Sequence, residues 1–265
     1  MDSAHAIWLA IVQGFTEFLP ISSSGHLVLA PHVLGWPDQG LAFDVAVHLG
    51  TLIAVVMYFR AELIAMAQAW FRSVAGGPAS ADSRMAWAVI WGTVPVAIAG
   101  FFVAGPVEAY LRSPMLVAAT TAGFGVLLWL ADIRGKRQRD EYSLSWSDVL
   151  IIGLIQVLAL IPGTSRSGIT MTAGLLLGLT REASARFSFL LAVPVILAAA
   201  VLETASLLER PEPADWSALA IGAGVSAIVA YLTIRWFLAF LGRIGMLPFA
   251  IYRMALALAI VLYFR

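Results

Sequence analysis

The chain of 265 residues contains no cysteine, which excludes disulfides, thiolate metal sites and cysteine nucleophiles and leaves either side of a membrane open as its compartment. Charge is scarce as well. Only 12% of residues are Asp, Glu, Lys or Arg, roughly half the share typical of a soluble domain. The 16 basic and 16 acidic residues cancel, so no basic excess argues for a nucleic-acid partner or a polybasic membrane-surface patch. The first five residues, Met1 to His5, lack the basic segment of a cleaved signal peptide. What the chain has in quantity is apolar: 61% hydrophobic residues, with 14 Phe, 9 Trp and 6 Tyr, and a mean hydropathy of +0.89. A composition this apolar along the whole length excludes a soluble fold and describes an all-α polytopic membrane protein.

A helix crossing a hydrocarbon core ~30 Å thick needs about 20 residues. Six apolar runs of suitable length lie near 41–60, 85–105, 114–132, 184–204, 215–238 and 246–264. Two further apolar stretches, about 6–35 and 148–178, are interrupted by Pro20-Ile21-Ser22-Ser23-Ser24-Gly25 and by Pro162-Gly163-Thr164-Ser165-Arg166-Ser167-Gly168. Each arm is too short to span. Broken helices are tolerated at membrane depth only where the freed backbone is buried in protein or lines a polar cavity, so both stretches read as re-entrant helical hairpins.

The interrupted stretches also resemble each other: Gln13 through Gly25 (QGFTEFLPISSSG) aligns with Gln156 through Gly168 (QVLALIPGTSRSG), with a slip of one residue between Gln and Pro. This points to an internal duplication within a single membrane domain, 1–132 and 133–265, each copy being a hairpin followed by three spans. An odd number of crossings separates the copies, so the second should be inverted relative to the first. The loop charges agree. Three basic residues lie in 60–84 (Arg60, Arg72, Arg84) and four in 134–139 (Arg134, Lys136, Arg137, Arg139), against one each in 105–113 and 205–214. The positive-inside rule makes the first two loops cytoplasmic, places both termini outside, and makes 239–247 cytoplasmic as well.

Most charges fall at span ends or in loops, where solvation or snorkelling accounts for them. Arg166 does not: it is the only charged residue between Asp148 and Arg181, and it lies among Thr164, Ser165, Ser167 and Thr170. A guanidinium at membrane depth costs ~2.5 to 3.5 kcal/mol on insertion scales, so it implies a partner, either a carboxylate such as Glu17 or an anionic ligand. A Pro-Gly turn followed by hydroxyls at a helix start favours the anion, because free N–H groups and the positive dipole end face the ligand. Arg166 and Thr170, four apart, share a face if the helix opens near Ser165. In the first break Gln13 and Glu17 are likewise four apart, ahead of Ser22, Ser23, Ser24 and His26. Glu17 can serve there as general base or metal ligand, a serine as nucleophile, and His26 as proton donor or orienting group. Asp44 and His48, also four apart, form a further pair that reads more simply as cavity lining.

Glu17 through His26 (EFLPISSSGH), preceded by Gln13 in a [Glu/Gln]-x-x-x-Glu spacing, together with Pro162 through Thr170 (PGTSRSGIT), resembles the bacterial undecaprenyl-pyrophosphate phosphatase family associated with bacitracin resistance. The second segment matches that family's PGxSRSxxT motif throughout. The resemblance extends over essentially the whole chain, including Phe187 to Pro194 and Pro248 to Arg253. Many members carry Glu where this chain has Gln13, which counts against a mechanism needing two ionised carboxylates on that arm. The resemblance implies a multi-pass hydrolase of the bacterial inner membrane that removes the terminal phosphate of undecaprenyl pyrophosphate, recycles the lipid carrier for peptidoglycan synthesis and confers bacitracin resistance. Its active site is expected to open to the periplasm.

A lipid pyrophosphate brings about 2 to 3 negative charges, against one Arg and one Glu in the two breaks, so a divalent cation, Mg2+ or Ca2+, is expected to offset the excess. The expected roles are catalytic for Glu17, Ser23, His26 and Arg166, pyrophosphate-binding for Ser22, Ser165, Arg166, Ser167 and Thr170, and metal-ligating for Glu17 and Gln13. Ser23 is preferred as nucleophile over a metal-activated water. The expected partners are the polyprenyl pyrophosphate lipid and the bilayer, with a homodimer as an open alternative to the monomer. The competing function is an inverted-repeat transporter or flippase for an anionic polyprenyl lipid, since fold does not decide function.

Overall fold

The computed structural model describes residues 2–36, 39–110, 113–209 and 215–264. The described residues form an all-helical fold with no strand. α1 (Ser3–Thr16) and α2 (Ser23–Leu34) are the two arms of the first interrupted stretch. α3 (Leu41–Tyr58), α5 (Ala81–Tyr110) and α6 (Pro114–Arg134) follow, with α4 (Arg60–Val74) between the first two. α7 (Trp146–Gln156), extended by a 3-10 turn over Val157–Leu160, and α8 (Arg166–Leu176) are the arms of the second stretch. α9 (Arg181–Glu209), α10 (Trp216–Ile244) and α11 (Leu247–Phe264) complete the chain.

Among the described residues six helices, α3, α5, α6, α9, α10 and α11, are long and apolar enough to cross a membrane, and they fall at the six expected spans. Their outer faces carry large exposed apolar side chains, among them Phe101, Phe102, Trp216, Leu258 and Leu262. An apolar exterior of this kind suits lipid rather than water. One expected loop is a helix instead. Residues 60–74 fold as α4 because the run is rich in Ala, Leu, Glu, Met and Arg, which lose little side-chain freedom in a helix.

Packing crosses between the two halves. α1 and α3 pack on α10, while α7 and α9 pack on α5; α6 pairs with α11, and α3 with α9. Small residues permit the close approaches, as is usual between membrane helices. At Gly14 a Cβ would come within 2.7 Å of the Ser226 carbonyl oxygen, and Gly50 abuts Ser226 and Ala223.

Ion pairs gather at one end of the bundle. Arg181 binds Asp132 at 2.6 and 2.9 Å and donates to the Gly242 carbonyl, while Asp132 accepts the Met246 N–H. Arg186 bridges Glu141 (2.6 Å) and Glu62 (2.8 Å), and Arg139 pairs with Asp148 at 2.7 Å. Through α9 these contacts link Glu62 of α4, Asp132 of α6, Glu141 and the Gly242 carbonyl of α10, while Arg139 is tied to the start of α7. Asp148 also closes a capping box with Ser145 at the start of α7. Burial alone would push its carboxyl up, but the Arg139 hydrogen bond and the Ser145 N–H and hydroxyl outweigh burial and hold it below the ordinary aspartate range.

Candidate active site

The two breaks meet inside the bundle. Glu17 follows α1 directly as its C-cap, where a carboxylate faces the negative end of the helix dipole and needs compensation. It receives that compensation from the other break: Arg166 Nη2 donates to Glu17 Oε1 at 3.2 Å. The second carboxylate oxygen, Oε2, accepts from Ser23 Oγ at 2.6 Å and from Gln13 Nε2 at 3.1 Å. Glu17, Gln13 and Ser22 are buried. Ser23 is half-buried.

Each break has the same backbone device. Ser22 and Ser165, which occupy matching places in the two aligned segments, have φ of +73° and +71°, and the next residue opens a helix in both cases. A non-glycine residue there holds strain of about 1 to 3 kcal/mol that the surroundings must offset. Ser165 caps α8 by accepting the Gly168 N–H at 3.2 Å, which makes Arg166 the first residue of that helix.

Around Arg166 the hydroxyls are engaged within the protein. Ser167 Oγ donates to the Leu19 carbonyl across the breaks at 2.9 Å and lies 3.2 Å from Ser165 Oγ. Thr170 Oγ1 is 2.7 Å from Ser188 Oγ and 2.9 Å from the Arg166 carbonyl, tying α8 to α9. Arg166 Nη1 donates to the Ser188 carbonyl at 3.0 Å. With one bond to Glu17 and one to Ser188, three of the five guanidinium donors make no bond to the described residues.

His26 stands apart from this group. Its Nδ1 donates to the Ser22 carbonyl oxygen at 2.7 Å, and Nε2 lies 2.6 Å from Tyr252 Oη. The two rings stack 5.6 Å apart, nearly parallel. His26 also lines an apolar groove of about 410 Å³ between α1, α2 and α11, with Val12, Leu29, Leu34, Leu256 and Ile260 on its walls. The imidazole near Glu17 is His48, with Nε2 3.9 Å from Oε2 and Nδ1 2.7 Å from the Asp44 carbonyl oxygen.

The model of the bacitracin resistance protein BacA family matches residues 6–259 of the chain. The chain belongs to this family. It is 60% identical over 256 residues to a protein named undecaprenyl-diphosphatase from Nitrosococcus oceani, with 97% of both chains covered. It is 57% identical over 267 residues to undecaprenyl-diphosphatase 2 of Stutzerimonas stutzeri, covering 100% of this chain and 99% of the relative. A third relative, undecaprenyl-diphosphatase of Chromohalobacter salexigens, is 53% identical over 263 residues, 99% of each chain.

In this BacA-family member, Arg253, Tyr252 and Ser188 serve the site although no functional motif in the sequence marks them. Arg253, on α11, is fully buried and donates to four main-chain carbonyls: Thr121 at 2.8 Å, Pro20 at 3.2 Å, Gly163 at 2.8 Å and Thr164 at 2.9 Å. Three of these belong to the breaks, whose interrupted helices leave carbonyls without intrahelical partners. Its signal in the sequence is an arginine in the middle of the last apolar span, ten residues beyond Arg243, where snorkelling cannot bring the charge to the interface.

Proposed function

We propose that the chain hydrolyses undecaprenyl pyrophosphate to undecaprenyl phosphate and inorganic phosphate, with Glu17, Ser23 and Arg166 at the reacting centre. The observation that carries the reading is the 2.6 Å hydrogen bond from Ser23 Oγ to Glu17 Oε2 beside Arg166. A hydroxyl aimed at a buried carboxylate is a nucleophile with its base in place, and an arginine 3.2 Å from that carboxylate is a cation at the right spot for phosphoryl oxygens. The relatives' name, undecaprenyl-diphosphatase, gives the substrate.

Ser23 Oγ attacks the terminal phosphorus and passes its proton to Glu17, while the bond to the bridging oxygen breaks and leaves undecaprenyl phosphate. Water then cleaves the phosphoserine and Glu17 returns its proton to Ser23. Protonation of Glu17 also weakens its hold on Arg166, so the guanidinium turns to the phosphoryl oxygens as they need it. Phosphoryl transfer depends chiefly on such positioning and neutralisation. The first-turn N–H groups of α8 bind the pyrophosphate, and Ser165 and Ser167 join them by giving up their bonds to Gly168 and Leu19; Ser22 holds the turn that presents Ser23, and Thr170 steadies Arg166 through Ser188. His26, at the polar end of the apolar groove, takes the side of the site facing the prenyl chain.

A divalent cation fits the first break. Gln13 Oε1 is buried and makes no hydrogen bond to the described residues, and it lies one helical turn from Glu17. Gln156 Oε1, at the matching place in the second break, is also unpaired, so what distinguishes the first break is the carboxylate beside the amide. Mg2+ or Ca2+ takes such hard oxygen ligands alongside substrate phosphates and, when bound, neutralises their charge.

The membrane is the bacterial inner membrane, with the site opening to the periplasm. The halves 1–132 and 133–265 are inverted copies, each with a re-entrant hairpin. The exchanged packing of α1 on α10 and α7 on α5 supports this reading, as do the paired strained serines. Phosphate release from a prenyl pyrophosphate by the purified chain, with and without EDTA, tests the function alongside lipid translocation in liposomes. Metal-dependent release is the expected result; translocation without release would mean a carrier.

A further inference from the structure

Arg253 presents an electrostatic problem that its hydrogen bonds do not solve. Its guanidinium is completely buried, all four of its described bonds go to neutral carbonyls, and no described Asp or Glu forms an ion pair with it. Carbonyl dipoles soften a buried charge but do not cancel it. Room is made for it on two sides. A Cβ at Gly125 would come 3.0 Å from Arg253 Cβ, and one at Gly168 would come 3.0 Å from Nη1. Through Pro20, Gly163 and Thr164 it grips the backbone beside Glu17 and beside Arg166, so it lies between the two halves of the reacting centre.

We propose that Arg253 is a positioning residue for the hydrolysis, locking the two breaks in register and supplying an uncompensated buried positive charge that selects the pyrophosphate over its less charged monophosphate products. The inference rests on the reading that Glu17 and Arg166 mark the site. Arg166 and Glu17 offset each other, with His48 3.9 Å from the same carboxylate, and Arg253 adds a positive charge that no described carboxylate pairs. An extra positive charge attracts a ligand in proportion to that ligand's own negative charge, so it strengthens binding of pyrophosphate more than of phosphate and assists release of product. A lysine would keep the charge but lose the planar fork that reaches four carbonyls at once.

The test uses the purified full chain in detergent. The measurements are kcat and KM on a short prenyl pyrophosphate, inhibition constants for inorganic pyrophosphate and inorganic phosphate, and the thermal midpoint, for wild type, Arg253→Met, Arg253→Lys and Arg166→Ala. Arg253→Met is expected to weaken pyrophosphate binding by at least about tenfold, and to weaken phosphate binding less. Arg253→Lys is expected to keep the wild-type ratio of the two inhibition constants while kcat falls. A folded Arg253→Met with the wild-type ratio overturns the proposal. If Arg253→Met does not fold, Arg253→Lys decides: reduced kcat at an unchanged ratio supports the proposal, and wild-type kcat or a lowered ratio contradicts it. Near-normal hydrolysis by Arg166→Ala would instead unseat the site itself, whereas a dead Arg166→Ala beside wild-type Arg253 variants would remove only this inference.

Discussion

A carboxylate with two neutral hydrogen-bond donors and an arginine around it, deep in an apolar bundle, is costly unless its charge is used. Glu17 has Gln13 and Ser23 on one oxygen and Arg166 on the other, an arrangement that fixes its geometry and points one donor, the Ser23 hydroxyl, at a base. The three adjacent serines are equivalent in sequence, and the turn distinguishes two of them: Ser22 is buried in the strained position, while Ser23 opens α2 and faces Glu17. Ser23→Ala is therefore expected to cut hydrolysis by at least about 100-fold, the order of loss seen when a reacting or charge-stabilising group is removed. Phosphate-release kinetics and trapping of a phosphoserine check this; wild-type turnover by the alanine variant would shift the attack to water.

At the scale of elements, the breaks decide where polar groups are allowed. Proline, glycine and a hydroxyl run announce them in the sequence, and the arms α1, α2, α7 and α8 fall where those signals place them. What the sequence could not reveal is which distant helices serve the breaks. Arg253 reaches a carbonyl 233 residues back in the chain, and His48 comes within 3.9 Å of Glu17 only because α3 packs beside α1. Neither contact has a local periodicity that betrays it. α4 was hidden for another reason: its charges resemble a solvated loop, and its helical propensity shows only when residue types are weighed one by one. The capping box at the start of α7 has a pH signature of its own. Because the Asp148 pKa is lowered on folding, its contribution is fully present above the unfolded aspartate value of 3.8 and is lost as pH falls through the lower folded value. Ser145→Ala is expected to lower stability by about 1 kcal/mol. Thermal midpoints in detergent at neutral and acidic pH measure both effects, with the difference between wild type and Asp148→Asn shrinking at the acidic end.

For the whole molecule, scarcity of charge is the organising fact. The ion pairs of Arg139, Arg181 and Arg186 sit at one end of the bundle, while Glu17, Arg166 and Arg253 lie within it. The absence of native cysteine makes the site's orientation directly measurable. Single cysteines at Ser23 and Arg166 in a spheroplast preparation are expected to react with a membrane-impermeant thiol reagent added outside. Reaction of both only from the cytoplasmic side would reverse the proposed orientation.

If two helix breaks from opposite halves of the chain combine into one phosphoryl-transfer site, the most direct test is the rate of phosphate release from a prenyl pyrophosphate by Glu17→Gln and Arg166→Lys at an unchanged thermal midpoint. Both should lose at least about 100-fold, because one removes the base and the other the planar guanidinium. Near-wild-type turnover by either folded variant would contradict it.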